Sequence, residues 1–246
     1  MPAKIGKIIR TTYTVALQKD ATDLSKLRPL GVPCAIRRIA GILILRQYRS
    51  SFARYLLPYN YAIGLNGGID IITTTIRLGV ERYISDRERQ GLLPTRALVS
   101  LDIVNMFNAV SRQRLRTVIA REFPHLAAFA DLLYEQDGRT AVRLADGTWD
   151  YISVREGFAQ GCPMSPVFAA LVLHEILERI DTELKREAAT RKRLGTKGDD
   201  KQGFVPIIAG FVDDVNILVA LEDVELLLQK FEAYGKPLGA VMNTTK

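Results

Sequence analysis

The order of elements that the 246-residue sequence predicts is typical of an α+β fold. Helices and hairpins alternate along the chain without the repeated strand–helix–strand unit of α/β proteins. Asp146-Gly147 between two β-rich stretches is a strong hairpin signal, and Pro166 opens a long segment with helical spacing. The apolar share of 48% is that of a globular protein, and no apolar run approaches the roughly 18 residues of a membrane span.

The first part of the chain predicts a hairpin followed by two helices. Residues 12–18 and 27–33 are β-rich and are separated by a polar turn. Apolar and basic residues at helical spacing predict a helix over residues 35–57, which Pro58 ends. A glycine-rich loop then leads into a second helix over residues 69–87.

The remaining elements are assigned by the same signals. Residues 96–104 contain a buried strand that ends at Asp102, and Asp213-Asp214 lie between two further strands. The predicted strands are residues 140–144, 148–154, 205–211 and 215–220. The predicted helices are residues 113–123, 125–135, 166 to about 190, and 222–234.

The positive charge is concentrated at the amino-terminal end. Residues 1–60 carry eleven Lys or Arg against two Asp, a net charge of +9, whereas the whole chain has +7 and the rest therefore has −2. A basic first quarter suits contact with a phosphate backbone, although a cationic solvated surface explains the charge equally well.

The two cysteines, Cys34 and Cys162, are far apart and have no metal-like spacing. They predict two free thiols in a reducing compartment, with a disulfide as the alternative. The amino terminus lacks the apolar core of a signal peptide, so the sequence predicts an intracellular protein that is neither secreted nor membrane-spanning.

Three aspartates stand at the ends of apolar, β-branched runs. Burial of Asp102, Asp213 and Asp214 would be costly unless a cation shared the site. Three carboxylates from two strands can hold two Mg²⁺ ions about 3.5–4 Å apart, an arrangement that promotes phosphoryl transfer. Neighbouring side chains of a regular strand point to opposite faces, so Asp213 and Asp214 require a bend. An Asp-Asp pair in a turn is more often only turn chemistry, so the surrounding sequence has to decide.

Six segments resemble, in order, the conserved blocks of reverse transcriptases, most closely those of non-LTR retrotransposons and group II introns. The first catalytic block is residues 101–108, and the aromatic-x-Asp-Asp block is residues 211–214. The other similar segments are residues 27–33 with 37–39, 64–68, 160–166 and 238–246.

This resemblance implies the fingers and palm of a right-hand polymerase, with an antiparallel palm sheet packed on helices. The fingers would comprise residues 1–96, to which residues 113–154 partly return, and the palm would comprise residues 97–246. The chain would stop before the thumb.

The resemblance also assigns the catalytic chemistry. Asp102 and Asp213 would share two Mg²⁺ ions, for which Mn²⁺ can substitute, and Asp214 would complete the site. One ion would lower the pKa of a primer 3′-hydroxyl, and the other would bind the triphosphate and the leaving pyrophosphate. Lys246 would be the fourth catalytic residue, as a proton donor to the pyrophosphate.

Further residues are assigned to substrate binding. Phe107 would pack beneath the sugar and exclude a 2′-hydroxyl. Without the resemblance, a phenylalanine packed in the core is the simpler interpretation of this residue. Gln160 and Gly161 would face the nascent base pair. The candidates for the triphosphate are Lys19, Lys26 and Arg28, and those for the template are Arg37 and Arg38.

The function that follows is RNA-directed DNA polymerisation in a mobile element, with an RNA template, a DNA or RNA primer and dNTPs as partners. An RNA-dependent RNA polymerase shares the palm, but it typically carries an acidic group where Phe107 stands. The third possibility is a non-catalytic remnant that only binds nucleic acid.

Overall fold

The computed structural model describes residues 3–20, 23–194 and 205–243. The chain divides into two compact units. The first unit comprises Met1–Arg49 and Asn105–Val172, and the second comprises Ser50–Val104 and Leu173–Lys246. Each unit is therefore assembled from two separate stretches of sequence.

The helices and strands are numbered in chain order. The helices are α1 (Ala3–Arg10), α2 (Ala35–Leu56), α3 (Gly68–Val80), α4 (Asp86–Arg89), α5 (Met106–Ala109), α6 (Arg112–Glu122), α7 (Ala127–Tyr134), α8 (Ser165–Leu194) and α9 (Val224–Gly235). The strands are β1 (Thr11–Asp20), β2 (Asp23–Pro33), β3 (Arg96–Leu101), β4 (Gly138–Arg143), β5 (Trp149–Val154), β6 (Ile207–Phe211) and β7 (Asp214–Ala220).

The first unit contains a four-stranded sheet in the order β2-β1-β4-β5. Strands β1 and β2 form one antiparallel hairpin, and β4 and β5 form another. The two hairpins are joined by parallel pairing of β1 with β4, in which Thr12 lies opposite Thr140. The turn of the second hairpin contains Asp146, whose Oδ1 accepts the backbone N–H of Thr148 at 2.9 Å. The sequence-predicted hairpin at Asp146-Gly147 is thus confirmed.

An aromatic cluster forms part of the core of the first unit. The ring centroid of Phe158 lies 5.3 Å from that of Tyr134 and 5.7 Å from that of Phe168. All three side chains are buried. Full burial of such rings is among the largest apolar contributions that single side chains make to folding.

The second unit is built on a three-stranded antiparallel sheet in the order β3-β7-β6. Strand β7 lies in the middle, with Leu101 opposite Val215 on one side and Phe211 opposite Asp214 on the other. The buried side chains Val215 and Ile217 alternate with more polar positions, as a sheet with one wet face requires.

The predicted α+β class is confirmed, including an antiparallel sheet packed on helices. The long helix runs over Ser165–Leu194, close to its predicted range. Helix α1 was not predicted, and β3 ends at Leu101, one residue before its predicted end at Asp102. The backbone N–H of Val104 instead donates to the carbonyl of Val241 at 2.8 Å, which takes the chain out of the sheet.

The boundaries of the two units differ from those predicted for fingers and palm, and the assignment of those names remains a prediction. Both cysteines are free thiols, as predicted. Among the helices of the described residues, none combines the length and apolar character of a membrane span.

Candidate active site

The turn between β6 and β7 carries Asp213 next to a residue with a strained backbone, Val212. Phe211 pairs with Asp214, so Val212 and Asp213 form a two-residue turn. Val212 has a φ of +59°, in the left-handed region that β-branched residues rarely adopt. Such a conformation costs about 1–3 kcal/mol and persists only where neighbouring contacts hold it. Here Asn60 donates from Nδ2 to the carbonyl oxygen of Val212 at 3.1 Å.

Further bonds connect the same turn to the segment that follows α2. The backbone N–H of Gly210 donates to Tyr59 at 2.8 Å, and that of Tyr61 donates to Gly210 at 2.9 Å. The two-residue turn is therefore held from the side by residues 59–61 as well as by its own strands.

The strand register determines which face of the sheet carries the carboxylates. Ser100 lies opposite Asn216, and its Oγ donates to Asn216 Oδ1 at 2.7 Å, so both side chains share one face. Because side chains alternate along a strand, Asp214 lies on this same polar face, whereas its neighbour Val215 lies on the buried face. One further step of the register would set Asp102 opposite Asp214.

Asp102 follows β3 directly and is held by a distant part of the chain. The Nδ2 of Asn243 donates to Asp102 Oδ2 at 3.0 Å, and the backbone N–H of Asn243 donates to the Asp102 carbonyl at 2.8 Å. A bridge between Ile103 and Met242 continues this contact. The segment with residues 241–243 thus aligns the residue that bears the first carboxylate.

The three predicted metal ligands lie at the same end of the β3-β7-β6 sheet, since each is located at the end of β3 or at the β6–β7 turn. Carboxylate oxygens are the donors that Mg²⁺ prefers, so the chemistry of the residues fits this ion. However, within residues 3–20, 23–194 and 205–243 no three or more His, Cys, Asp or Glu side chains are arranged to hold a metal. Metal binding by Asp102, Asp213 and Asp214 therefore remains a prediction.

Phe107 belongs to the first unit, on the short helix α5. Its side chain is half-buried, and its carbonyl oxygen accepts the backbone N–H of Phe158. Gly157 precedes that residue with a φ of +72°, and a Cβ there would lie 2.3 Å from the carbonyl of Asn108. Only glycine allows this close approach, so residues 157–158, which precede the predicted base-pair residues Gln160 and Gly161, pack directly against the Phe107 segment.

Gln160 and Gly161 are also in the first unit and are half-buried. The backbone N–H of Gly161 donates to the carbonyl of Gly31 at 3.0 Å, and a Cβ at Gly161 would lie 2.7 Å from that oxygen. The absence of a side chain at residue 161 therefore has a structural reason in the packing against β2. Its predicted contact with a base pair stays a prediction.

The predicted basic residues occupy different environments. Arg28 on β2 and Arg38 on α2 are exposed, whereas Arg37 is only 3% exposed and donates from Nη2 to the hydroxyl of Tyr134 at 2.9 Å. The structure thus separates the two predicted template arginines. The side chains of Lys19 and Lys26, and the whole of Lys246, lie outside the part of the chain that is described.

Sequence reasoning missed the polar residues that hold these elements. Asn243 lies within a segment that the resemblance includes, but its partner is 141 residues away. Asn60 carries no local signal that connects it to the β6–β7 turn, and neither does Arg112, which is buried and bonded to the carbonyl oxygens of Val154 and Gly157.

No protein-family model matches the chain. The sequence is 28% identical over 225 residues to the retrovirus-related Pol polyprotein from the type-1 retrotransposable element R2 of Popillia japonica. The match covers 89% of this chain but only 28% of the polyprotein. The chain therefore spans less than a third of this relative.

Solved telomerase structures share the fold. Apo telomerase from Candida tropicalis aligns with a TM-score of 0.63 at 13% identity, over 97% of this chain and 43% of the telomerase. Telomerase from Candida albicans, in complex with the TWJ fragment of telomeric RNA, aligns with a TM-score of 0.59 at 12% identity, over 100% of this chain and 44% of that chain. Homology to the R2 polyprotein, combined with the fold shared with telomerases, supports a reverse-transcriptase-like domain of the non-LTR retrotransposon type.

Proposed function

We propose that this domain is an RNA-directed DNA polymerase that adds dNTPs to a primer 3′-hydroxyl. The observation that carries the proposal is the location of Asp102 and the Asp213-Asp214 turn at one end of a single antiparallel sheet. The homology to a retrotransposon Pol polyprotein supports the same activity.

The carboxylates Asp102, Asp213 and Asp214 would hold two Mg²⁺ ions, with Mn²⁺ as a substitute. When bound, the ions would activate the 3′-hydroxyl and stabilise the leaving pyrophosphate. Asn243 would keep the Asp102 carboxylate in position, because its amide donates to Oδ2. The strained turn at Val212 would fix the backbone of Asp213, so the carboxylates would need little reorganisation on binding a cation.

The substrates follow from the same resemblance. An RNA template is supported by the telomerase of similar fold that was solved with a telomeric RNA fragment. Arg37 and Arg38 would contact the template, and Lys19, Lys26 and Arg28 would contact the triphosphate of the dNTP. Gln160 and Gly161 would face the base pair.

Two assignments concern the sugar and the leaving group. Phe107 would exclude ribonucleotides because its ring would occupy the space of a 2′-hydroxyl, and its fixed backbone supports a defined position for that ring. Lys246 would protonate the pyrophosphate. An intracellular location for the protein belongs to the same proposal.

Primer extension on an RNA template with Mg²⁺ tests the activity. The chain should extend a primer with dNTPs and not with NTPs, and Asp213→Asn should abolish extension because it removes a charged ligand. Asp70→Asn serves as the matched control, since Asp70 is an exposed aspartate on α3 of the same unit.

Each outcome has a defined meaning. Extension with dNTPs that survives in Asp213→Asn would contradict the assignment of the metal ligands. Extension with NTPs would favour an RNA polymerase and contradict the proposed role of Phe107. A folded chain that binds template and primer but extends neither substrate would be a non-catalytic binding domain.

A further inference from the structure

A cavity of about 240 Å³ lies within the first unit, and its lining combines apolar surface with basic and hydroxylic side chains. It is bounded by β1, β4 and residues of α2, α6 and α7. Arginine and threonine dominate its polar lining, which includes Arg10, Arg37, Arg112, Arg139, Thr12 and Thr140. The acidic residue among the described lining is Glu156, which is exposed and whose Oε2 accepts the backbone N–H of Arg112 at 3.1 Å.

Two of these arginines are buried. Arg37 is 3% exposed, donates from Nη2 to the Tyr134 hydroxyl, and has a buried Nε without a hydrogen-bond partner. Arg112 is 8% exposed and donates from Nε to the carbonyl of Gly157 at 2.7 Å. In the part of the chain that is described, neither guanidinium forms an ion pair with a carboxylate.

Tyr134 contacts both guanidinium groups but cannot neutralise them. Its ring centroid lies 5.5 Å from Cζ of Arg37 and 5.0 Å from Cζ of Arg112, within the range of cation–π attraction. Burial raises the pKa of Tyr134 to about 12, so its hydroxyl is protonated at physiological pH. The thiol of Cys162, also near Arg37, is a weak hydrogen-bond acceptor.

Two buried guanidinium groups that form no ion pair are energetically unfavourable. Burial lowers the pKa of Arg112 and the nearby charge of Arg37 acts in the same direction, whereas Tyr134, Glu156 and Asp137 act against it. The carbonyl oxygens bonded to Arg112 and the aromatic ring of Tyr134 offset only part of the free-energy cost of burying these charges. An anion in the cavity would offset the rest of that cost.

The chemistry of the lining selects phosphate among anions. Guanidinium groups match the oxygens of phosphate with paired, charge-assisted hydrogen bonds. Threonine hydroxyls add polar atoms to the lining, and that of Thr12 donates to that of Thr140 at 3.1 Å. A volume of about 240 Å³ is below the roughly 300–1,000 Å³ of sites for drug-sized ligands, so the cavity fits a phosphate group better than a whole nucleotide.

We propose that this cavity binds a single phosphate group, carried by a phosphomonoester or by a nucleic-acid backbone. The site lies entirely within the first unit, whereas the three carboxylates lie in the second. Phosphate binding here does not require the polymerase activity proposed above.

Calorimetric titration of the whole chain with inorganic phosphate, at constant ionic strength, tests the site. The wild-type chain should bind one equivalent, and Arg37→Met should lose about tenfold or more in affinity, since a hydrogen bond to a charged group is removed. Met approximates the shape of the Arg stem, and removal of an unpaired buried charge is often neutral or stabilising, so this variant should fold.

Arg46→Met is the matched control. Arg46 lies on the same helix, α2, carries the same charge and is exposed, and it does not line the cavity. Its phosphate affinity should equal that of the wild type. If Arg37→Met does not fold, Arg139→Gln replaces it, because Arg139 also lines the cavity but is only half-buried.

Competition identifies the source of the phosphate. Displacement of inorganic phosphate by a short RNA with a 5′-phosphate, but not by the same RNA with a 5′-hydroxyl, would indicate a phosphomonoester. Displacement by both would indicate the backbone. Equal affinity in wild type and in the cavity variants, or no phosphate binding by the folded wild-type chain, would overturn the proposal.

Discussion

The side chain of Asn243 donates a hydrogen bond to Asp102 Oδ2 over a distance of 3.0 Å, and the two residues are 141 positions apart in sequence. A second bond joins the backbone N–H of Asn243 to the carbonyl of Asp102 at 2.8 Å. The carboxylate and the main chain of Asp102 are thus held by one partner residue.

Replacement of Asn243 by Ala should therefore weaken catalysis without unfolding the domain. Loss of a residue that orients a metal ligand typically costs about 10–100-fold in metal affinity or activity. We expect the Mg²⁺ concentration needed for half-maximal primer extension to rise, while the KM for dNTP changes little. An unchanged Mg²⁺ dependence in the folded Asn243→Ala variant would show that Asn243 serves the backbone alone.

Relief of the backbone strain at Val212 should increase the free energy of unfolding. Val212→Asn should raise the free energy of unfolding by about 1 kcal/mol, because asparagine tolerates a positive φ better than a β-branched residue. Chemical denaturation measures the difference, and Val224→Asn, on a helix of the same unit with ordinary backbone geometry, is the comparison. Destabilisation of both variants alike would contradict stored strain at the turn.

The ion pair between Arg191 and Asp223 should stabilise the second unit more than exposed pairs stabilise the first. Both carboxylate oxygens of the buried Asp223 accept hydrogen bonds from Arg191, at 2.6 and 2.5 Å. The ion pair between Arg155 and Asp137 in the first unit, at 3.1 Å, is exposed. Asp223→Asn should lower the free energy of unfolding by about 1–3 kcal/mol, and Asp137→Asn should change it by less than about 0.5 kcal/mol. Urea titrations of both variants check this, and equal losses would be inconsistent with a buried fork.

Alkaline pH should destabilise the fold partly through Tyr134. Burial raises its pKa to about 12, from roughly 10 in the unfolded chain, so the folded state holds the proton more tightly. This contribution is fully present below about pH 10 and is lost as the pH rises towards 12. The free energy of unfolding, measured across this pH range, should fall less steeply for Tyr134→Phe than for wild type. Tyr151→Phe, at an exposed position, should behave as wild type.

Local signals in the sequence accounted for much of the fold. The Asp146-Gly147 turn, the helix after Pro166 and the strands around Asp213-Asp214 are each specified by residues within a short window, and the structure contains all of them. The location of the carboxylates at strand ends was predicted for the same reason.

The contacts that complete the site were beyond such reasoning. Neither the bond from Asn243 to Asp102 nor the bond from Asn60 to Val212 has a local signature, since each joins residues more than 140 positions apart. The burial of Arg37 was equally hidden. On a helix, Arg37 and Arg38 differ only in direction, and only tertiary packing decides which one faces the interior.

The parallel pairing of β1 with β4 also sets an order of events during folding. Thr12 cannot meet Thr140 until more than half of the chain has left the ribosome. Contacts of such long sequence separation are associated with slow folding, because the entropy cost of closing the intervening loop comes before the pairing can stabilise the chain. Until then, the amino-terminal hairpin has an unpaired strand edge that can join another nascent chain. Synthesis of this domain should therefore depend more on chaperones than its final structure suggests.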